Sequence, residues 1–318
     1  MSTAEQVLRR PVAAEHDYSV SLEYIREKAK RKKWRTSIRA WALLFPSLIF
    51  LGIFTVYPIV QSAFSSLYKD DLTTITPVFS GLENYRALAL DPIFRECIRN
   101  NLLIAVVTVP ASIALGVAMA SFSHSLGKKG KTITRIGFIY PTFIPLVAAA
   151  NIWMFIYTPI YGLLGYINPE WRLLANGRTA IWAIIVMLIW KQAGYLMLFY
   201  IAGLNGISRE VFEAAELDGA CGFQKFRTIT WPLLKPTTMY VFIIALTSAF
   251  KTVDHLYIMT KGGPGNATNM LLFYIYQTGF DYWNNGKASA MTVILVGLLL
   301  IITAVKFFYD DRKAYYND

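Results

Sequence analysis

The run "EAAELDGACGFQKFRTITWPLLKP", residues 213–236, stands between two of the most apolar stretches of the chain. Before it comes "AIWAIIVMLIWKQAGYLMLFYIAG" (180–203), and after it "MYVFIIALTSAFKTVDHLYIM" (239–259). Each flank has the length, about 20 residues, that a hydrocarbon core about 30 Å thick requires. The run itself carries Glu213, Glu216, Asp218, Lys225, Arg227 and Lys235 and ends in two prolines. It therefore reads as a segment that leaves the bilayer between two spans.

The same alternation extends outward. Hydrophobic residues make up 55% of the 318 and charged residues 16%, against about a quarter charged in soluble domains. Apolar runs of bilayer length recur at 40–67, 102–122, 136–158, 180–203, 239–259 and 288–309. Backbone in lipid must satisfy its own hydrogen bonds, so these six are expected as transmembrane helices of an all-α integral membrane protein. Pro46, Pro58, Pro110, Pro141 and Pro145 fall within them and predict kinks. The organisation expected is a basic segment 1–37, a six-helix domain 38–310 containing the loop 204–238, and a tail 311–318.

Charge sets the orientation. Of the 31 Lys and Arg residues, 21 lie before the first span, in 123–135, in 204–238 or at the end of the chain. Only 8 lie in 68–101, 159–179 and 260–287, and Lys191 and Lys251 lie within spans. The positive-inside rule puts both termini and the 213–236 run of this multi-pass protein in the cytoplasm. Much of the net charge of +11 is the stretch "REKAKRKKWR" (26–35), a topology anchor that is also placed to meet anionic lipid headgroups and calls for no nucleic acid. Residues 1–37 lack the apolar core of a cleavable signal, so the first span is expected to serve as an uncleaved one. Cys97 and Cys221 fall on opposite sides of the membrane and predict no disulfide.

The residues of an enzyme are missing. His16, His124 and His255 have no His or Cys at metal-ligand spacing, and HExxH, GxSxG and CxxC do not occur. "SLGKKGKT" (125–132) has Ser125 where a phosphate-binding loop requires Gly, and it follows a span rather than a strand. No catalytic residue, metal site or cofactor bound by this chain is expected. The short pattern "NAT" (266–268) carries no weight as a glycosylation acceptor.

Within the run, Ser208 is placed to cap a helix whose first turns hold Glu210, Glu213 and Glu216, where the helix dipole favours acids. "DGACG" interrupts it, with Gly219 and Gly222 allowing a sharp turn. "FQKFRTI" then forms a second short helix, and "WPLLKP" redirects the chain into the fifth span. Two uses fit this helix–turn–helix: an amphipathic cap on the bilayer, or a knob for a partner.

The run resembles the EAA loop of membrane subunits of ATP-binding-cassette importers. Glu213-Ala214-Ala215 is followed by three residues, Gly219, nine residues, Ile229, one residue and Trp231-Pro232; Trp231 stands where the pattern has Leu. Ser208 stands where many relatives have Pro. "FPSLIFLGIFTVYPIVQSAFSSL" (45–67), "GLENYRAL" (81–88) and "KGGPGNATNMLLFYIYQTGF" (261–280) are similar to the carbohydrate group, which includes maltose, multiple-sugar and glycerol-3-phosphate permeases. The GGP stretch is typical of the maltose large-subunit type, without that subunit's large extra outer domain. Resemblance runs from about residue 40 onward.

The resemblance implies a type I ABC importer permease core in a bacterial inner membrane, whose EAA loop is a coupling helix. Glu213, Ala214, Ala215, Asp218 and Gly219 would meet a cytoplasmic ATPase. It also implies the partners: a second permease subunit, two copies of that ATPase using ATP and Mg, and a periplasmic solute-binding protein that delivers a sugar, oligosaccharide or polyol derivative.

Polar groups inside spans cost about 2.5–3.5 kcal/mol for a central Lys and usually face the bundle interior or a wet path. The fourth span holds Lys191, Gln192 and Tyr195, and the fifth Ser248, Lys251, Thr252, Asp254 and His255. Lys251 and Asp254, three apart, are placed to pair. Either these groups hold helices together, or they form a hydroxyl-binding path capped by aromatics such as Trp153, Trp190 and Tyr195. The resemblance places solute contacts at Gln192, Tyr195, Ser248, Ala249, Thr252 and Asp254, with Lys191 beside them. A secondary transporter or channel coupled through Lys191 and Asp254 is the alternative.

Overall fold

The computed structural model describes residues 12–73, 75–220 and 222–314. Cys221 and the first eleven residues lie outside the described residues, so the pairing expected to be absent between Cys97 and Cys221 is not addressed; Cys97 is a buried free thiol. The chain divides into two compact units, one ending at Gln61 and one beginning at Ser62.

The first unit is helical, Val12–Leu51 followed by a π-helical turn Gly52–Val56, and the helix resumes at Tyr57–Ser65. The π turn precedes Pro58. A proline ring collides with the carbonyl four residues back, and a wider turn relieves that clash. Tyr57 N–H accordingly reaches back to the Gly52 carbonyl.

In the second unit, Pro92–Ser125, Gly177–Asn205 and Asn285–Val305 are spans as expected, the first two longer than their apolar stretches. The third span is not one helix. Lys128–Phe143 and Leu146–Tyr157 meet at 98°. Pro145 has no N–H to continue the ladder and forces Ile144 out of the helical region, to ψ 124°. The fifth span, Lys235–Met259, also breaks: Thr252 is extended (ψ 118°), and a second helix runs Asp254–Met259.

The second and fourth spans pack along one another. A side chain on Gly116 would sit 3.3 Å from the Ala193 carbonyl and the Leu196 Cβ, so the small residue sets how near the helices come. Around them lies a core of Val109, Ile113, Val117, Leu196, Met197, Tyr200, Val241 and Phe250. A second cluster joins Ile181, Ile184, Ile185 and Met187 to Tyr157, Leu256, Met270 and Phe273. Two buried tyrosines in these layers find partners across the bundle: Tyr157 OH donates to the Ala183 carbonyl at 2.8 Å and Tyr200 OH to Thr238 Oγ1 at 3.2 Å.

At the end of the bundle opposite the 204–238 loop, a short antiparallel strand pair, Tyr68–Lys69 with Val78–Phe79, precedes the helix Glu83–Leu90. Asp91 caps the second span and binds Lys287 Nζ at 2.6 Å and Tyr274 OH at 2.6 Å. Burial pushes the Asp91 carboxyl up, but the bonds from Lys287, Tyr274 and Phe94 N–H outweigh it and hold its pKa below the ordinary value. Asn100 and Asn101 of the second span fix the GGP loop: Asn100 Nδ2 donates to the Asn266 and Asn269 carbonyls, and Leu271 N–H donates to Asn101 Oδ1.

Candidate functional site

Two places bring the sequence-predicted residues together. The first is the loop between the fourth and fifth spans. Its helix, Arg209–Leu217, begins after Ser208, which has the extended backbone of an N-cap but makes no side-chain cap bond. Arg209 Nε pairs with Glu213 Oε1 at 2.8 Å one turn on. The helix ends in two reverse hydrogen bonds, Ala220 N–H to the Ala215 carbonyl and Gly219 N–H to the Glu216 carbonyl. That pattern needs a left-handed residue, which Gly219 supplies at φ +78°. Gly222, at φ +51°, completes the reversal.

A clip holds the two arms: Lys225 Nζ lies 2.6 Å from Glu216 Oε1 and 5.1 Å above the Phe212 ring. The hydrogen bond from Lys225, and then its charge, hold the Glu216 carboxyl below its usual pKa. The second arm, Gly222–Lys225, widens into a π turn Phe226–Thr230 ahead of Pro232, the device already met before Pro58.

The faces of this loop correct one expectation. Glu213, Ala214, Asp218 and Gly219 are exposed, but Ala215 is buried against the chain itself and offers no contact surface. The apolar crest is Leu217, 90% exposed, one residue before the bend. The acidic spacing drew attention to its neighbours, and the exposed leucine at the helix end was the available signal. Trp231 packs on the Phe226 ring at 6.3 Å and lines an apolar groove of about 840 Å³ with Phe223, Phe242 and the loop-side half of the second span. A leucine would fill less of that wall.

The second place is a cavity of about 240 Å³ among the third, fourth and fifth spans. Lys191, Gln192, Tyr195, Ser248 and Thr252 line it, five of the expected path residues, with Thr142, Leu146, Leu188 and Ile244. Lys191 Nζ donates to the Pro141 carbonyl at 3.2 Å and the Ile144 carbonyl at 2.5 Å. These are carbonyls that the break in the third span leaves without helical partners, and a cation at a helix C-terminus also meets the negative end of its dipole. Lys191 therefore holds a neighbouring helix in place.

Gly194 lets the two helices meet there: a Cβ on it would lie 2.2 Å from the Phe138 carbonyl oxygen. Sequence reading passed over it, because a glycine inside a span has no distinctive spacing. Gln192 Nε2 reaches the Ala245 carbonyl at 3.5 Å, and Thr252 Oγ1 donates to the Ser248 carbonyl at 2.6 Å across the end of the fifth span's first helix.

Two expected path residues lie elsewhere. Ala249 is buried in the core, one position around the helix from Ser248. Asp254 is exposed at the start of the second half of the fifth span and does not line the cavity. The expected Lys251–Asp254 pair is not formed, because the helix breaks between them and the three-residue spacing no longer stacks their side chains. Trp153 and Trp190 pack edge to face at 5.6 Å beside the cavity rather than on its wall; of the aromatics named from sequence, Tyr195 lines it. Among the described residues no group of three His, Cys, Asp or Glu is arranged to hold a metal.

With that geometry in hand, comparison with known proteins is specific. The family described as binding-protein-dependent transport system inner membrane component matches residues 112–314. The sn-glycerol-3-phosphate transport system permease protein UgpA of Agrobacterium fabrum is 31% identical over 285 residues, 88% of this chain and 97% of that protein. The sulfoquinovosyl glycerol transport system permease protein SmoG of the same organism is 35% identical over 271 residues, 83% of this chain and 87% of the other. In fold, the chain is similar to a subunit of a bacterial ABC transporter involved in import of the acidic polysaccharide alginate. The TM-score is 0.76 at 22% identity, covering 88% of this chain and 99% of that one.

Proposed function

This chain belongs to the family of binding-protein-dependent transport system inner membrane components, and on that premise we propose that it supplies one half of an alternating-access pathway for a sugar or polyol derivative. Its fold is that of an ABC importer permease, and its relatives are permeases of sugar and glycerol-phosphate import. A second, different permease subunit would supply the other half. Two cytoplasmic ATPase subunits would bind and hydrolyse ATP with Mg, one of them docked on the 204–238 loop, and a periplasmic binding protein would deliver solute at the opposite end. Both termini and the loop would then be cytoplasmic, as the lysine and arginine bias requires.

One observation carries this reading: the loop and the cavity are built on the same two helices. The fourth span runs without a break from Tyr195 at the cavity to Asn205 at the loop, and the fifth from Lys235 at the loop to Ser248 at the cavity. From Tyr195 to Asn205 is about 15 Å, and from Lys235 to Ser248 about 20 Å, at 1.5 Å per residue. A push on the exposed Arg209–Leu217 helix is thus delivered to both walls of the cavity by rigid rods. The breaks at Ile144–Pro145 and Thr252–Val253 adjoin the same cavity and supply the joints about which its walls can rearrange.

Ion coupling through Lys191 and Asp254 has less support. Lys191 is engaged with helix-end carbonyls, and Asp254 is exposed outside the cavity. The test is to purify the chain with the ATPase, second permease and binding protein encoded with it and to reconstitute them in proteoliposomes. ATP-dependent uptake that requires the binding protein is the expected result. Uptake driven by an ion gradient without ATP would refute it.

A further inference from the structure

A second recess lies at the far end of the fourth span from the loop. It has a volume of about 460 Å³ and is lined by Arg99, Asn100 and Leu103 of the second span, Asn176 to Arg178 and Ile181 at the start of the fourth, and Ala267 of the GGP loop. Its walls are held in place. Asn100 is engaged with two carbonyls of the GGP loop, and a Cβ on Gly177 would lie 2.9 Å from the Ala267 Cβ, so loop and helix are in close contact.

One of the two arginines of this recess is uncompensated. Arg178 has no ion-pair partner among the described residues, and Arg99 is clipped to Glu96 one turn back on its own helix, at 2.6 Å. Among the described residues no acidic side chain lines the recess or the cavity, and the charged groups of the two linings are Arg99, Arg178 and Lys191. No aromatic ring lines the recess, so it lacks the flat surface on which a neutral sugar ring stacks.

Recess and cavity also share one face of the fourth span. Ile181 lines the first, and Leu188, Gln192 and Tyr195 line the second, at intervals of seven, four and three residues. Ile181 and Leu188 are about 10 Å apart along the helix. Between them Ile184 and Ile185 are buried in the packed core, so the recess is a separate station from the cavity in this conformation.

We propose that this recess is an entry subsite for an anionic group on the transported solute, a carboxylate, phosphate or sulfonate, with Arg178 as its principal contact and Arg99 beside it. A guanidinium presents a fork of donors that matches such groups two at a time. The inference rests on the importer reading, in which this end of the bundle faces the periplasm and receives solute.

The test uses the full complex in nanodiscs of zwitterionic phosphatidylcholine, which keeps acidic lipid headgroups away from the recess. Ligand-observed NMR would measure binding of sn-glycerol 3-phosphate and glucuronate, with glycerol and glucose as neutral counterparts. At least one charged probe is expected to bind and its neutral counterpart not. Arg178→Gln is expected to weaken that binding about tenfold or more, the loss of a charged hydrogen bond, and Arg178→Lys to restore part of it. Neutral probes binding as well as charged ones, no charged probe binding, or Arg178→Gln binding as wild type would each overturn the subsite. So would a variant whose probe binding is unchanged but whose ATPase no longer responds to the binding protein, since the arginine would then be a protein contact. Failure of the importer reading shows separately, as an ATPase in the wild-type complex that ignores the binding protein.

Discussion

The loop at 204–238 and the cavity at Lys191 are built in opposite ways from similar residue types. The loop's polar contacts are local: Arg209 with Glu213, four residues apart, and Glu216 with Lys225, nine apart, all on exposed side chains except the half-buried Lys225. The cavity's contacts are long-range: Lys191 reaches carbonyls 47 and 50 residues back in the chain, and Gln192 a carbonyl 53 residues ahead. A locally closed element keeps its shape with little help from the bundle and is free to press on something else. An element closed by distant carbonyls is part of what holds the bundle together. Substitutions in the loop should therefore uncouple the protein without unfolding it, and substitutions at the cavity should do both.

The largest effect is expected at Gly194. An added methyl would lie 2.2 Å from the Phe138 backbone oxygen, and neither helix can yield without displacing the break beside it. Gly194→Ala should lower stability by about 3 kcal/mol, read as reduced abundance in the membrane and a lower thermal midpoint of the purified chain. Lys191→Met comes next. It keeps the length of the side chain but leaves the Pro141 and Ile144 carbonyls unpaired, a loss of about 2–3 kcal/mol. Uptake should fall while the ATPase still copurifies. A Lys191→Met protein as stable as wild type, with only solute affinity changed, would make Lys191 a solute contact and break the contrast.

Gly219→Val probes the other side of the comparison. No atom lies within 4 Å of the added Cβ, so the strain comes from the positive φ alone, about 1–2 kcal/mol confined to the loop. The thermal midpoint should barely move, while uptake and ATPase copurification are lost. If Gly219→Val instead destabilises the chain as Gly194→Ala does, the loop is a structural cap rather than a docking element.

How far the sequence revealed each region follows the same division. The loop was legible because its information is local: the acids in the first turns, Gly219 at the bend and Pro232 at the exit all act on backbone within a few positions. Spans were legible too, since lipid demands length and apolarity, and prolines marked where bends were possible. That Pro145 produces a 98° break while Pro110 rides within a continuous helix was not legible. The difference depends on whether a distant donor, here Lys191, satisfies the freed carbonyls. Asp254 failed for the same reason. Its three-residue spacing from Lys251 implied a pair only if the helix continued, and the break at Thr252 lay outside what spacing encodes.

The smallest effect is expected at Lys225, and it tests whether the loop's local closure matters at all. Lys225→Ala removes the clip to the exposed Glu216 and the contact over the half-buried Phe212, so the thermal midpoint should move little from the wild-type value. Loop order should change with pH. The folded Glu216 carboxyl titrates below its ordinary range, chiefly through the hydrogen bond from Lys225. The clip's contribution is therefore complete above the ordinary carboxylate range and is lost as pH falls through the lowered folded value. A spin label at Leu217→Cys, with Cys97 and Cys221 replaced by Ser, sits on the exposed crest one residue from the clip. Its mobility should rise on acidification in the parent protein, and in Lys225→Ala it should be high and flat across the same range. Salt should mimic acid in the parent, because an exposed pair is screened. A label whose mobility ignores pH, salt and Lys225 alike would show that the Gly219 turn alone fixes the loop, which would make the backbone rather than the charges the part offered to the proposed ATPase partner.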